Sequence, residues 1–259
     1  MSCVVVQITD CHLFADRTKE LRDVATWPRF LKLLDDLRER VPQCDLLVLT
    51  GDTAHDELAA TYREIAGPLQ PWRTRLRILP GNHDNREALA EVFPDICRPT
   101  DQRLVFEYRS APWTILGLDS HKPGELPGRL GTAQLNWLEQ KLAEAAPNDQ
   151  ILIMLHHPPI PVASAWLDAI GLEDAPELRD LAQRYRQLRL VTCGHVHQPI
   201  AGSFGHATVL STSASGPCFQ ARLPQLRIIP QHPCYRVIEL HEDGEWTSQV
   251  VEVHGSAES

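Results

Sequence analysis

A chain of 259 residues with 43% hydrophobic and 23% charged residues has the make-up of a soluble globular protein, long enough for one large domain or two small ones. Its net charge of −9, with no long basic run, excludes a general nucleic-acid or anionic-membrane surface. No apolar run reaches the roughly 18 residues of a membrane span, and the start "MSCVVVQITD" lacks the basic n-region of a signal peptide, so a cytoplasmic location is expected.

The first predicted element is a Val-rich strand, Cys3 to Ile8, ending at Thr9-Asp10. Apolar residues at 27, 30, 31, 34, 37 and 41 predict a helix from Trp27 to Val41. "DLLVLTGD", Asp45 to Asp52, is a second buried strand; "ELAATYREIAGPL" is a helix, "LRILPGNHD" a third strand, and a short helix follows at about Asn85 to Phe93. "RLVFEYR" and "WTILGLDS", with Ser-Ala-Pro between them, predict a β-hairpin. A helix from about Thr132 to Ala145, the strand "QILIMLHHP", a helix near Pro176 to Arg186 and the strand "RLVTCGHVH" come next. The remainder is β-like: "ATVLSTSAS", then "CYRVIEL" and "WTSQVVEVH" joined across His-Glu-Asp-Gly, a hairpin signal. No composition break or repeat divides the chain. The expectation is one α/β domain over residues 1–259, with two packed sheets, helices outside and a frayed tail at about 255–259.

Seven cysteines without a C-x-x-C pair argue against a disulfide framework or a Cys-rich zinc site. The histidines carry more information. Collected by position, Asp10 and His12 follow the first strand, Asp52 the second, Asn82 and His83 the third, His156 and His157 "ILIML", and His195 and His197 "LVTC". Five strands thus deliver metal-capable side chains at their C-terminal ends, where open α/β sheets bind ligands. Taken singly, Asp-x-His or Gly-Asp reads as a turn or cap. The two histidines of "GHVH" would point the same way on an extended chain. Jointly, and in this order, the five form a specific metal signature.

The pattern D-x-H, G-D, G-N-H-D, H-H-P, G-H-x-H resembles the calcineurin-like metallophosphoesterases from Asp10 through His197. Within them it is most similar to the bacterial class III cyclic-AMP phosphodiesterases, on "VQITDCHLF", "GHVHQ", "SAWLD" (Ser164 to Asp168) and "YRVIELHEDG". The resemblance implies a four-layer αββα fold, a β-sandwich flanked by helices, and two divalent metals per chain. By that resemblance Asp10, His12 and His197 hold the first metal; Asn82, His156 and His195 hold the second; Asp52 bridges both; and His83 faces the substrate phosphate.

Imidazole, carboxylate and amide oxygen together suit Mn, Fe, Co or Zn. The second site, with neutral ligands beyond the shared carboxylate, is expected to bind more weakly. Two divalent cations against two carboxylates and one bridging hydroxide leave a charge of about +1, which suits a phosphodiester monoanion. The expected chemistry is attack of that hydroxide on phosphorus, with His83 stabilising charge or protonating the leaving alkoxide. Asp84 orients His83 or, by preference, caps the following helix. His157 is read as either a support behind the ligands or a turn residue. His55 is expected to be a loop residue, His121 and Lys122 solvated, and Cys11 and Cys193 buried packing.

"GDTAHDE" and "GNHDN" differ from the G-D-x-V-D-R-G and G-N-H-E of the serine/threonine protein phosphatases, and no basic track suits long DNA. A small anionic diester remains: 3′,5′-cyclic AMP, or alternatively a glycerophosphodiester or other small diester. Phe14, Trp166 and Phe219 are the candidate wall for a base. The loop from about Cys218 to Cys234 is expected to cover the site or to make an oligomer contact, a dimer being left open. A non-catalytic binding module is disfavoured because every ligand position is filled.

Overall fold

Successive side chains of β1 (Ser2–Ile8) point to opposite faces, and Val5 faces one core while Val6 and Ile8 face another. A strand apolar on both faces must be covered on both, and the rest of the chain supplies the covers. The computed structural model describes residues 2–220 and 222–254; the tail expected to fray, 255–259, lies outside them. After β1 come α1 (Thr26–Arg40), β2 (Leu46–Thr50), α2 (Ala59–Leu69), β3 (Leu76–Leu79), α3 (Arg86–Val92), β4 (Phe106–Ser110) and β5 (Trp113–Gly117). They are followed by α4 (Thr132–Glu144), β6 (Gln150–Met154), α5 (Ala165–Asp168), α6 (Ala175–Arg184), β7 (Leu188–Cys193), β8 (Ala201–Phe204), β9 (Ala207–Ser211), β10 (Cys234–His241) and β11 (Trp246–Glu252).

One sheet has the order β11-β10-β1-β2-β3 and the other β8-β9-β7-β6-β5-β4. In the first, β1, β2 and β3 are parallel and β10 and β11 antiparallel. In the second, β9, β7, β6 and β5 are parallel, with antiparallel strands at both edges. Val5, Leu46, Val48 and Ile238 of the first sheet pack on Trp113, Ile115, Leu152, Met154 and Leu190 of the second. Trp27, Phe30, Leu34, Tyr62 and Ile65 of α1 and α2 cover the outer face of the first sheet. Leu138, Leu142, Leu178 and Leu181 of α4 and α6 cover that of the second. The result is the expected four layers, helix–sheet–sheet–helix.

The expected hairpins, β4–β5 and β10–β11, both form. Leu31, counted in the apolar stripe of α1, is 36% exposed, and Leu33 is buried in its place. Two short elements lay below the reach of periodicity: β8, "AGSF", has too few apolar residues to alternate, and α5 spans four residues. Among the described residues, no helix is long and apolar enough to cross a membrane.

Candidate metal centre

Parallel neighbours end at the same edge of a sheet, so β1, β2 and β3 deliver their C-terminal loops together, as do β6 and β7. The loops after β1 and β2 run side by side. Asp10 N–H donates to Gly51 O (3.1 Å), His12 N–H to Asp52 O (2.9 Å) and Leu13 N–H to Thr53 O (3.0 Å). This pairing holds Asp10, His12 and Asp52 at φ of 54°, 49° and 52°, the left-handed region that non-glycine residues adopt rarely and often at functional sites. His195 and His197 also sit there, at φ 68° and 55°. The extended geometry expected for "GHVH" is therefore corrected: a tight left-handed turn, not strand alternation, aims both rings.

The side chains assemble into two donor sets. Asp10, His12, Asp52 and His197 place ligand atoms within 4.8 Å of one another, and all four are buried. His197 Nε2 lies 3.2 Å from Asp10 Oδ1 and 3.2 Å from His12 Nε2. In the other set Asn82 Oδ1 faces His195 Nδ1 (3.0 Å) and His156 Nε2 (3.3 Å). Asp52 belongs to both: Oδ2 is 3.6 Å from His12 Nε2, and Oδ1 is 3.4 Å from His156 Nε2.

Backbone carbonyls fix two of the rings. His156 Nδ1–H donates to Thr50 O (2.8 Å) and His197 Nδ1–H to Pro217 O (2.5 Å). Each Nε2 thereby faces inward, the position from which metal-binding histidines coordinate once that nitrogen is unprotonated. Close backbone approach permits the convergence. A Cβ on Gly81 would lie 2.2 Å from Asp52 Oδ1, and one on Gly51, already at φ +92°, would lie 2.4 Å from His156 Nδ1.

Electrostatics match this reading at Asp52, His12 and His195, while His156 keeps a proton beside Asp52. Burial opposes ionisation of Asp52, but His156 and then His12 outweigh it and hold the carboxyl well below the ordinary range. Burial likewise opposes charge on His156, yet Asp52 raises it to about 9. Burial pushes His12 well down, and burial with His156 pushes His195 down to about 3. Ionised carboxylates and neutral imidazoles are the forms that coordinate cations, so Asp52, His12 and His195 already hold the required form, whereas a cation would displace the proton that His156 shares with Asp52.

The neighbouring residues sort as follows. His157 packs edge-on to His156 with ring centroids 4.8 Å apart, but both its nitrogens are engaged: Nδ1 by Ser120 Oγ (2.8 Å) and Nε2 by Leu126 O (3.0 Å). Asp84 does not cap α3. Asn85 does, accepting from Ala88 N–H (3.0 Å), while Asp84 is buried and accepts from Gly81, Thr53 and Ala54 N–H and from Tyr62 O–H. His83 N–H donates to Asp52 Oδ1 (2.8 Å), and its ring stacks on that of His55 at 4.6 Å. His55, expected to be an ordinary loop residue, places Nδ1 3.1 Å from His12 Nδ1 and so belongs to the site. Its only sequence signal was the spacing Asp52-x-x-His55, too common to weigh. His121 is buried rather than solvated, and Lys122 is paired with Glu125 and Glu173. Cys11 and Cys193 are buried as expected.

A cavity of about 340 Å³ opens over the centre. His12, Asp52, Asn82, His83, His195 and His197 form its floor. Trp166 and Phe219 stand in its wall with Leu126, Ile170 and Leu226, and Arg22 adds a cation that sequence reading missed. Phe219 stacks flat on His197 at 3.9 Å and meets Trp166 edge-on at 5.6 Å. Phe14 instead lies beside His55, with centroids 5.1 Å apart, and does not line the cavity. The Cys218–Phe219 and Ile228–Ile229 segments pair into a short ladder, which brings Phe219 and Leu226 over the site.

Over 246 residues, 95% of this chain and 88% of the relative, the chain is 34% identical to the 3′,5′-cyclic adenosine monophosphate phosphodiesterase CpdA of Escherichia coli K12. It is 32% identical over 249 residues to a 3′,5′-cyclic-nucleotide phosphodiesterase of Nostoc, covering 96% of this chain and 92% of the relative. Among solved structures, a dimetal phosphatase from Danio rerio superposes with a TM-score of 0.67 at 15% identity, over 97% of this chain and 99% of that one. A purple acid phosphatase from yellow lupin superposes with a TM-score of 0.68 at 13% identity, over 98% of this chain and 52% of that one. The calcineurin-like phosphoesterase profile matches residues 4–199, a span that takes in all five strand ends described above, and the chain therefore belongs to the calcineurin-like phosphoesterase family.

Proposed function

We propose that the protein hydrolyses 3′,5′-cyclic AMP to 5′-AMP at a dinuclear metal centre. Asp10, His12 and His197 would hold one divalent cation, Asn82, His156 and His195 the other, and Asp52 both. The observation that carries this reading is the position of Asp52, whose two carboxylate oxygens face different donor sets. Mixed nitrogen and oxygen donors without thiolate suit Mn, Fe, Co or Zn. Such a pair, when bound, supplies an activated water and positive charge for the phosphoryl oxygens.

The chain's own residues do the rest. Asp52 accepts from His83 N–H, so the loop bearing His83 is fixed to the centre. Stacking on His55 leaves the His83 ring at the cavity floor, where it can stabilise equatorial charge or give a proton to the leaving 3′ oxygen. Trp166 and Phe219 present aromatic surface to a base, and Arg22 offsets the protein's negative charge at the cavity. Seven buried free cysteines support a reducing compartment, the cytoplasm.

Metal-reconstituted turnover tests the reading on cyclic AMP, cyclic GMP, glycerophosphodiesters and bis-p-nitrophenyl phosphate. kcat/KM should be highest for cyclic AMP; a cyclic nucleotide turned over no better than the generic diester would defeat the assignment. His83→Ala should keep its metals and lose about 10²–10⁴-fold in kcat. Asn82→Ala should lose occupancy of one site, measured by elemental analysis. Equal metal loss in both variants would refute the division of labour between these neighbours.

A further inference from the structure

The end of the last strand and the segment that enters β10 carry a second group of metal-competent side chains, outside the centre described above. His232, Glu252 and His254 place one ligand atom each within 4.8 Å of one another. The sheet register explains why they meet. Cys234 pairs with Glu252 in the antiparallel β10–β11 ladder, and Val253 N–H donating to Pro233 O (2.9 Å) continues it outward. That register sets His232 directly across from His254. Glu252, two residues before His254, lies on the same face of the strand.

The side chains follow the backbone. The rings of His232 and His254 lie 4.7 Å apart, and Glu252 Oε1 accepts from His232 N–H (3.2 Å). Both histidines are exposed and Glu252 is half-buried, so an ion reaches all three from solvent. The carboxylate is held against the two imidazoles by a backbone hydrogen bond, which reduces the entropy lost when an ion gathers the three.

We propose that His232, Glu252 and His254 form a separate surface site for one Zn²⁺ ion. Two imidazole nitrogens and one carboxylate oxygen are ligands zinc accepts, with water completing the coordination. The ion clamps the end of β11 to the segment that enters β10.

Equilibrium dialysis of the zinc-reconstituted full chain, followed by elemental analysis, tests this. The wild-type protein should hold one more zinc per chain than either His232→Gln or His254→Gln. Both variants should hydrolyse bis-p-nitrophenyl phosphate as the wild type does, which shows that fold and centre are intact. A zinc count in either variant equal to that of the wild type overturns the proposal.

Discussion

Asp84 and Asn85 sit side by side, and both residue types open helices well. Burial decides between them. Asn85 remains near the surface and caps α3, whereas Asp84 turns inward and collects four donors: Gly81, Thr53 and Ala54 N–H and Tyr62 O–H. Burial, with Asp52 nearby, raises its carboxyl to about 6, so it is held ionised at neutral pH against an electrostatic cost. What it does in return is tie the loop after β2 to the loop after β3, the two that carry Asp52 and Asn82. Asp84→Ala leaves those donors without an acceptor at about 1–3 kcal/mol each. The variant should therefore lose at least about 3 kcal/mol in urea denaturation, and a loss below about 1 kcal/mol would show that water replaces the carboxylate. Adjacent residues with equal cap propensity are indistinguishable in a linear sequence. His55 was hidden for a similar reason, because its contact with His12 spans two loops and follows from their pairing alone.

At the scale of elements, strand ends were legible because buried parallel strands are apolar runs that stop at polar residues. Connections between elements were less so. Asp119, just beyond β5, receives Arg86 from α3 through Nε (2.7 Å) and Nη2 (3.0 Å), and accepts Leu104 N–H (2.8 Å). Arg86 and Arg103 both donate to the carbonyl of His121. This knot buries His121, which the sequence reading had placed in solvent. Burial, with Arg86 adding to it, pushes the imidazole down to about 4. The unfolded chain takes up that proton near pH 6.5, the folded chain only near pH 4. Between those values unfolding binds a proton that the folded state excludes. The stability His121 allows is thus complete above pH 6.5 and declines as pH falls toward 4. Between pH 7 and pH 5 the decline due to His121 should be about 2 kcal/mol. Urea melts in the presence of chelator at the two pH values should show a shallower decline in His121→Asn than in the wild type; parallel declines would mean that the folded imidazole protonates normally.

On the scale of the whole molecule, the centre lies on the seam between the two sheets. The first sheet contributes Asp10, His12, Asp52 and Asn82, the second His156, His195 and His197. Beneath them Gln7 bridges the seam, donating to Thr50 Oγ1 (2.8 Å) and Cys193 O (3.2 Å) and accepting from Thr212 Oγ1 (2.8 Å). The sandwich was readable from the order of strands, but the seam was not, since nothing local states which two sheet edges face each other. A cation held by both sheets acts as a fastener that the unfolded chain lacks. Its stabilisation follows mass action, about 2.7 kcal/mol at a free metal concentration 100-fold above Kd. Chelation should therefore lower the thermal midpoint, and added Mn²⁺ should restore it. His156→Ala, which removes a donor from the second sheet only, should keep part of that increment because the set of Asp10, His12, Asp52 and His197 remains. Asp52→Asn should lose most of it, since Asp52 serves both sets. Differential scanning fluorimetry with and without Mn²⁺ ranks the three proteins. An increment in Asp52→Asn equal to that of the wild type would mean that the two donor sets act independently and that Asp52 joins neither.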